Sequence, residues 1–202
     1  MSNDIAKFFG DAQPPAARED LVSGLLDFAS TKTAIDGVSL LRLSKADGEW
    51  VFGMDNETWK GALIVNPLGF KSGYIAWNAG TIEKEVMQPL SQGPIDPSTL
   101  PPVSSKKGWE PQVSVDLISR HEKPLALVYK TSNRGGTRAL LGLASAIAVG
   151  LREEPGRTYP LVELGVDSYV HKEYGKIYTP VFKITGWLDA EGNPVGTRRK
   201  LV

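Results

Sequence analysis

The residues best suited to chemistry lie at positions 129–138, where a strand-like stretch runs into a glycine pair and then an apolar, helix-like stretch. Three basic residues surround this pair: Lys130, Arg134 and Arg138. Glycines such as Gly135 and Gly136 let the backbone approach a ligand closely, and the free N–H groups at a helix start favour an anion. The segment therefore predicts a phosphate site, although a tight turn capped by Thr137 fits the same residues equally well. It lacks the glycine–lysine–Ser/Thr pattern of a P-loop.

Aromatic residues interleaved with lysines form the second candidate site. Bases stack on aromatic faces and phosphates pair with cations, which is the chemistry that binds a single nucleic-acid strand. The predicted interface combines the basic glycine turn described above with seven further residues: Trp59, Lys71, Tyr74, Trp77, Tyr129, Lys176 and Tyr178. For each aromatic residue a place in the core, with lysines on the outer face of the same strand, remains the alternative. That alternative is favoured most for Trp50 and Trp187, which have apolar neighbours.

Catalytic and metal-binding patterns have little support in the sequence. The two histidines, His121 and His171, lack partners at helical spacing, and neither a Gly-x-Ser-x-Gly elbow nor an HExxH pair occurs. The chain has no cysteine, so disulfides and thiolate metal sites are excluded. Three carboxylates could form a cluster, but nothing in their pattern distinguishes them from ordinary surface carboxylates: Asp116, Glu163 and Asp167. We therefore expect no enzymatic activity, no metal and no cofactor.

Strands must position most of these residues. Two apolar runs flank Asp47 and Gly48, a dipeptide that predicts a β-hairpin. Further strands are predicted at 58–65, 70–77, 112–118, 124–130 and 176–188. The apolar run at 139–151 is too short to span a membrane, which takes roughly 20 residues, and is predicted to be a buried helix that begins at Thr137. An OB-fold has this order of strands, one buried helix and more strands, so we expect a mainly β, OB-like barrel. Several α+β folds share the same order.

The two ends of the chain and a proline-rich segment complete the predicted organisation. Residues 15–30 have apolar side chains at helical spacing, so 1–36 is predicted to be an N-terminal extension with an amphipathic helix. Residues 37–202 form the barrel domain, and the prolines at 88–105 predict a long surface loop within it. The N-terminus lacks the basic and apolar regions of a signal peptide, and no membrane association is expected.

Charge sets a limit on how the protein can bind a polyanion. Lys and Arg total 23 and Asp and Glu total 23, so the net charge is zero, which argues against a strong non-specific polyanion binder. A local basic groove remains possible because residues 120–138 contain five basic residues and one acidic residue, a net of +4. The last residues, 198–200, are also basic.

Two segments, 129–139 and 174–184, resemble small proteins from the replication modules of tailed phages, some of which are OB-fold single-stranded DNA-binding proteins. The resemblance covers roughly the second half of the chain. It implies a protein that binds single-stranded DNA during replication or recombination in the cytoplasm of a bacterial host, with replication proteins or further copies of itself as partners. Many proteins of that function end in an acidic tail, whereas this chain ends in a basic one, which puts the function or its partner mechanism in doubt.

Two other functions remain open. Zero net charge, the amphipathic N-terminal segment and the proline-rich loop favour a non-enzymatic structural or interaction component of a phage-like assembly. A small phosphate-handling enzyme that uses the turn at Arg134 and Arg138 is the third hypothesis. It requires a carboxylate or a histidine close to that turn.

Overall fold

Strands dominate the residues that the computed structural model describes, which are 37–120 and 123–195. The predicted helix at 15–30, His121 and the basic end at 196–202 lie outside these ranges. The strands are β1 (Val38–Leu43), β2 (Trp50–Phe52), β3 (Glu57–Thr58), β4 (Leu63–Val65), β5 (Lys71–Asn78), β6 (Thr81–Pro89), β7 (Glu110–Ser119), β8 (Ala126–Thr131), β9 (Tyr159–His171) and β10 (Gly175–Leu188). One α-helix, α1 (Arg134–Glu153), connects β8 to β9. The predicted mainly β architecture with one helix is confirmed in this part of the chain.

The ten strands form one sheet in the order β10-β9-β4-β7-β8-β1-β2-β3, with β5 and β6 attached at the side of β7. β7 is long enough for two neighbours on one edge, because its residues 110–114 pair with β5 and its residues 117–119 pair with β4. The pairing of β1 with β8 is parallel, and every other pairing of named strands is antiparallel.

The sheet curls so that the β9–β10 hairpin returns to β1 and β2. Trp50 on β2 donates its indole N–H to the carbonyl of Gly165 on β9 at 3.0 Å. Its ring also meets the Phe182 ring of β10 edge-on, with centroids 5.5 Å apart. These contacts hold the long hairpin against the strands at the far end of the sheet order and give the sheet its half-barrel curvature.

The core lies between the concave face of the sheet and one face of α1. Residues 113, 115 and 117 of β7 point to the same side because strand side chains alternate. They meet the buried face of the helix, which carries Leu140, Leu143, Ile147 and Gly150 at helical spacing. Trp50 and Trp187 are both buried, as predicted.

The predicted hairpin around Asp47 and Gly48 is confirmed, since β1 and β2 pair antiparallel with Leu43 opposite Trp50. The predicted strand at 58–65 is interrupted: β3 ends at Thr58 and β4 begins at Leu63. The proline-rich segment is held against β6, where Lys84 donates to the Pro102 carbonyl at 2.8 Å and the Ser104 N–H donates to Glu83 at 2.6 Å. Two short 3-10 turns, Leu90–Gln92 and Pro97–Thr99, lie in it.

Candidate nucleic-acid interface

Trp59 and Tyr129, two of the aromatic residues predicted to stack on bases, are buried in the core. The Trp59 indole donates to the Gly61 carbonyl at 3.0 Å and its ring packs edge-on against Phe52. Tyr129 packs between Trp50 and Phe182, and burial raises the pKa of its hydroxyl to about 12. Since a stacked base needs an exposed ring face, burial removes both residues from the predicted interface.

Lys71 and Lys130, predicted to meet phosphates, are paired with carboxylates on the convex face of β5, β7 and β8. Lys71 lies 3.0 Å from Asp116, and Lys130 lies 2.8 Å from Glu85. Burial alone would raise the pKa of Glu85, but hydrogen bonds from Lys130 and Gln112 and the charge of Lys130 outweigh it, so the pKa is lowered. Each lysine is therefore neutralised locally, and a phosphate would have to compete with the existing carboxylate.

Tyr74 and Trp77 lie on β5, away from the helix. Tyr74 is half-buried, with Val86 of β6 opposite it on one side and Pro111 of β7 on the other. Trp77 is exposed at the end of β5, where it pairs with the more exposed Ile82 of β6. The β5–β6 hairpin therefore presents a small apolar tip rather than a row of aromatic faces.

The helix begins at Arg134, three residues earlier than predicted, so the glycine pair belongs to its first turn. Asn133 caps it instead of Thr137: the Asn133 side-chain oxygen accepts the Gly136 N–H at 2.7 Å. An alanine Cβ at Gly136 would lie 2.5 Å from the Thr131 hydroxyl oxygen and 2.6 Å from the Tyr129 hydroxyl oxygen. The missing side chain thus lets the helix start pack on β8, which leaves no room for a ligand at Gly136.

Gly135 brings the helix start against β10, since a Cβ there would approach Thr179 to 3.0 Å. On the same strand Lys176 lies over the Tyr178 ring, with its amine 4.8 Å from the ring centroid. The same ring packs on the hairpin turn at Gly48, where a Cβ would come within 2.4 Å of it. The structure therefore brings the helix start and the first half of β10 together, although they are about 40 residues apart.

Arg134 and Arg138 are both exposed on the first two turns of α1. Arg138 lines a shallow groove with Pro180 and Phe182 of β10. The six predicted site residues of this region thus share one end of the molecule: Arg134, Gly135, Gly136, Arg138, Lys176 and Tyr178. Lys71, Tyr74, Trp77 and Lys130 lie on other strands.

The end of the β9–β10 hairpin carries aromatic residues that we did not predict as site residues. The Tyr169 side chain is 52% exposed and that of Tyr174 is 70% exposed. The Tyr174 ring lies 4.9 Å from the His171 imidazole at an angle of 30°, and the imidazole Nδ1 accepts the Tyr174 N–H at 3.4 Å. The sequence signal was present in Asp167 and Ser168, because adjacent residues of a strand point to opposite faces, so this stretch carries a polar side chain on each face and is not buried on either.

The charges on this hairpin are mixed. Lys172 and Lys176 are exposed on it, and so are Asp167 and Glu173. Asp116, Glu163 and Asp167 do not form a carboxylate cluster, since Asp116 lies on β7 beside Lys71 while the other two lie on β9. In residues 37–120 and 123–195 no group of three His, Cys, Asp or Glu side chains is placed to hold a metal ion. Nor does this part of the chain contain a helix long and apolar enough to cross a membrane.

Comparison with known proteins adds no relative to this description. The chain matches no known protein family, no curated protein and no solved structure.

Proposed function

We propose that the protein binds single-stranded DNA without catalysis, through the β9–β10 hairpin and the start of α1. The observation that carries this proposal is the pair of exposed tyrosines, Tyr169 and Tyr174, on a hairpin that also exposes Lys172 and Lys176. Aromatic faces with neighbouring cations are what a flexible strand of bases and phosphates requires. Arg134 extends the same surface, because the helix start packs against β10 at Thr179.

The geometry favours stacking over charge as the main source of affinity. Each stacked base contributes about 1–3 kcal/mol by substitution experiments, so two exposed tyrosines can account for moderate binding. The cations free of carboxylate partners on this surface are few, and Asp167 and Glu173 oppose them. With about three phosphate contacts, the slope of log K against log salt for a single strand is expected to be near −2.

The OB-type barrel and the phage replication or recombination role remain part of this proposal. A curled sheet with one helix supports an OB-like architecture, but the sheet has ten strands, whereas five make an OB barrel. The resemblance of residues 129–139 and 174–184 to phage replication-module proteins supports the biological role, a bacterial cytoplasm and replication proteins as partners. Residues 1–36 as a separate extension also remain a prediction.

Fluorescence anisotropy with a labelled oligo-dT of about 30 nucleotides tests the proposal at two salt concentrations. We expect binding to the single strand, weaker binding to a duplex of the same length, and a shallow salt slope. A duplex preference would point to backbone recognition instead of stacking. An absence of binding at low salt would reject the proposal.

A second function has a specific observation in its favour. The outer face of α1 exposes apolar side chains, Leu141 and Val149 among them, whereas the solvent face of a surface helix is usually polar. Such a face suits a protein–protein contact and so supports the assembly component that the sequence left open.

A further inference from the structure

The chain turns back after β10 and begins to pair with the edge of β10 that faces away from β9. Val195 donates its N–H to the Trp187 carbonyl at 2.8 Å, and Leu188 and Pro194 form an antiparallel bridge beside this bond. A second hydrogen bond, of 2.9 Å, closes the turn across residues 189–193. The turn therefore sets the returning chain antiparallel to β10 and in a defined register.

Beyond this start the same edge of β10 is open. In the part of the chain that the structure describes, β10 pairs with β9 along its length and with no second named strand. The side chains of Val181, Lys183 and Thr185 are exposed along it. An open edge presents a row of backbone N–H and C=O groups that pairs readily with an extended segment, so native sheets usually cover such an edge.

A shallow groove between α1 and β10 follows this edge. Arg138 lines it at one end, Glu153 and Trp187 line it at the other, and Ala146 and Ile184 line the middle. None of the described lining residues belongs to β9, so the groove opens on the side of β10 that faces away from β9. A strand added to β10 would therefore lie along the groove, between β10 and the helix.

We propose that the segment 196–202, which follows the described residues, continues from Val195 as a further strand antiparallel to β10 along this edge. A strand rises about 3.3 Å per residue, so seven residues extend about 23 Å, enough to run from Trp187 to Val181. Val195 already packs against the core, and the side chains of a strand alternate. The residues that share its face, beside α1, are Thr197, Arg199 and Leu201. This inference does not rest on nucleic-acid binding.

Charge opposes part of this pairing and sets its dependence on salt. The added strand brings Arg198 and Arg199 to the level of Lys183, and Arg138 stands at the far end of the groove. Glu163 of β9 lies opposite Lys183 on its other side and offsets part of the repulsion. Like charges on neighbouring strands weaken their pairing, and salt screens them. The added strand should therefore become more stable as the ionic strength rises.

Amide hydrogen exchange of the full chain, followed by NMR, tests the pairing. Every second N–H of a strand points to the same neighbour, so the amides of Thr197 and Arg199 should bond to β10 as that of Val195 does, while the amide of Arg198 points to solvent. We expect exchange at least about tenfold slower at Thr197 and Arg199 than at Arg198, and slower still at higher salt. Equally fast exchange at all three positions, or protection that falls with salt, would overturn the proposal.

Two proline substitutions form a matched pair, because each removes one arginine and one N–H from the segment 196–202. Arg199→Pro removes an N–H that bonds to β10 and should abolish the slow exchange at Thr197, whereas Arg198→Pro removes one that points to solvent, which an edge strand tolerates. Equal effects of the two variants would overturn the proposal. So would slow exchange that disappears on dilution together with a dimer in analytical ultracentrifugation, since the segment would then cover β10 of a second copy.

Discussion

Replacing Gly150 by alanine tests how the helix packs on the sheet. An alanine Cβ at this position would lie 2.1 Å from Cζ2 of Trp187, so the indole must move by more than 1 Å to reach ordinary contact at about 3.5 Å. The ring is not free to move, because it is buried and Arg157 lies over it at 5.4 Å while donating to the Gly150 carbonyl at 3.1 Å. Forced overpacking of this kind costs about 1–3 kcal/mol.

The gain in helix propensity offsets part of that cost, since alanine is about 1 kcal/mol more favourable than glycine inside a helix. The net loss should be about 0–2 kcal/mol, which lowers Tm by up to about 8 °C for a chain of this size. Urea and thermal denaturation, followed by tryptophan fluorescence, measure both quantities.

Gly142→Ala is the matched control on the same helix, because no atom lies within 4 Å of its built Cβ. It should stabilise the fold by up to about 1 kcal/mol. If Gly150→Ala were as stable as Gly142→Ala, the contact between Gly150 and Trp187 would not constrain the packing and the reasoning would be refuted.

Three further substitutions follow from the structure. Glu85→Gln should destabilise the fold at pH 7 and have no effect well below pH 4.5. The folded state lowers the pKa of Glu85, so the carboxylate contributes stability at pH values above its ordinary pKa, and this contribution is lost as the pH falls through the folded-state pKa. Urea titrations at several pH values measure it. Arg134→Ala should lower oligonucleotide affinity about threefold to tenfold, as measured by anisotropy, because it removes one cation from the proposed interface; an unchanged affinity would place Arg134 outside that interface. Trp59→Ala should cost about 3–5 kcal/mol in the free energy of unfolding, since its ring is buried; a well-folded variant with lost binding would contradict the core assignment.

The sequence predicted the elements whose signal is local. The hairpin at Asp47 and Gly48 follows from turn chemistry, and the helix after residue 133 follows from an apolar run too short for a membrane. β6 and most of β9 were not predicted, because charged and polar residues break their apolar pattern. Both lie largely at sheet edges, since β6 pairs with β5 alone and β9 pairs with β4 only at 161–162. Such strands are stabilised mainly by pairing with the other strand of a hairpin, which composition does not reveal.

The site could be predicted only in part, because residue type does not say which face a side chain occupies. Trp59 and Tyr129 have the chemistry of stacking residues but point into the core, while Tyr169 and Tyr174 are exposed. Gly136 matches a ligand-binding glycine in sequence, yet in the fold its missing side chain makes room for Thr131 and Tyr129. In each case the deciding fact is a contact between segments far apart in the chain.

The measurement that tests the central claim most directly compares wild type with the Tyr169→Ala/Tyr174→Ala double variant in the oligo-dT titration at low salt. Met54→Ala, which truncates another exposed apolar side chain, serves as the control. Loss of two stacking faces predicts an affinity at least about tenfold lower, with the fold and the control unchanged. Undiminished binding by the double variant would show that the β9–β10 hairpin is not the interface.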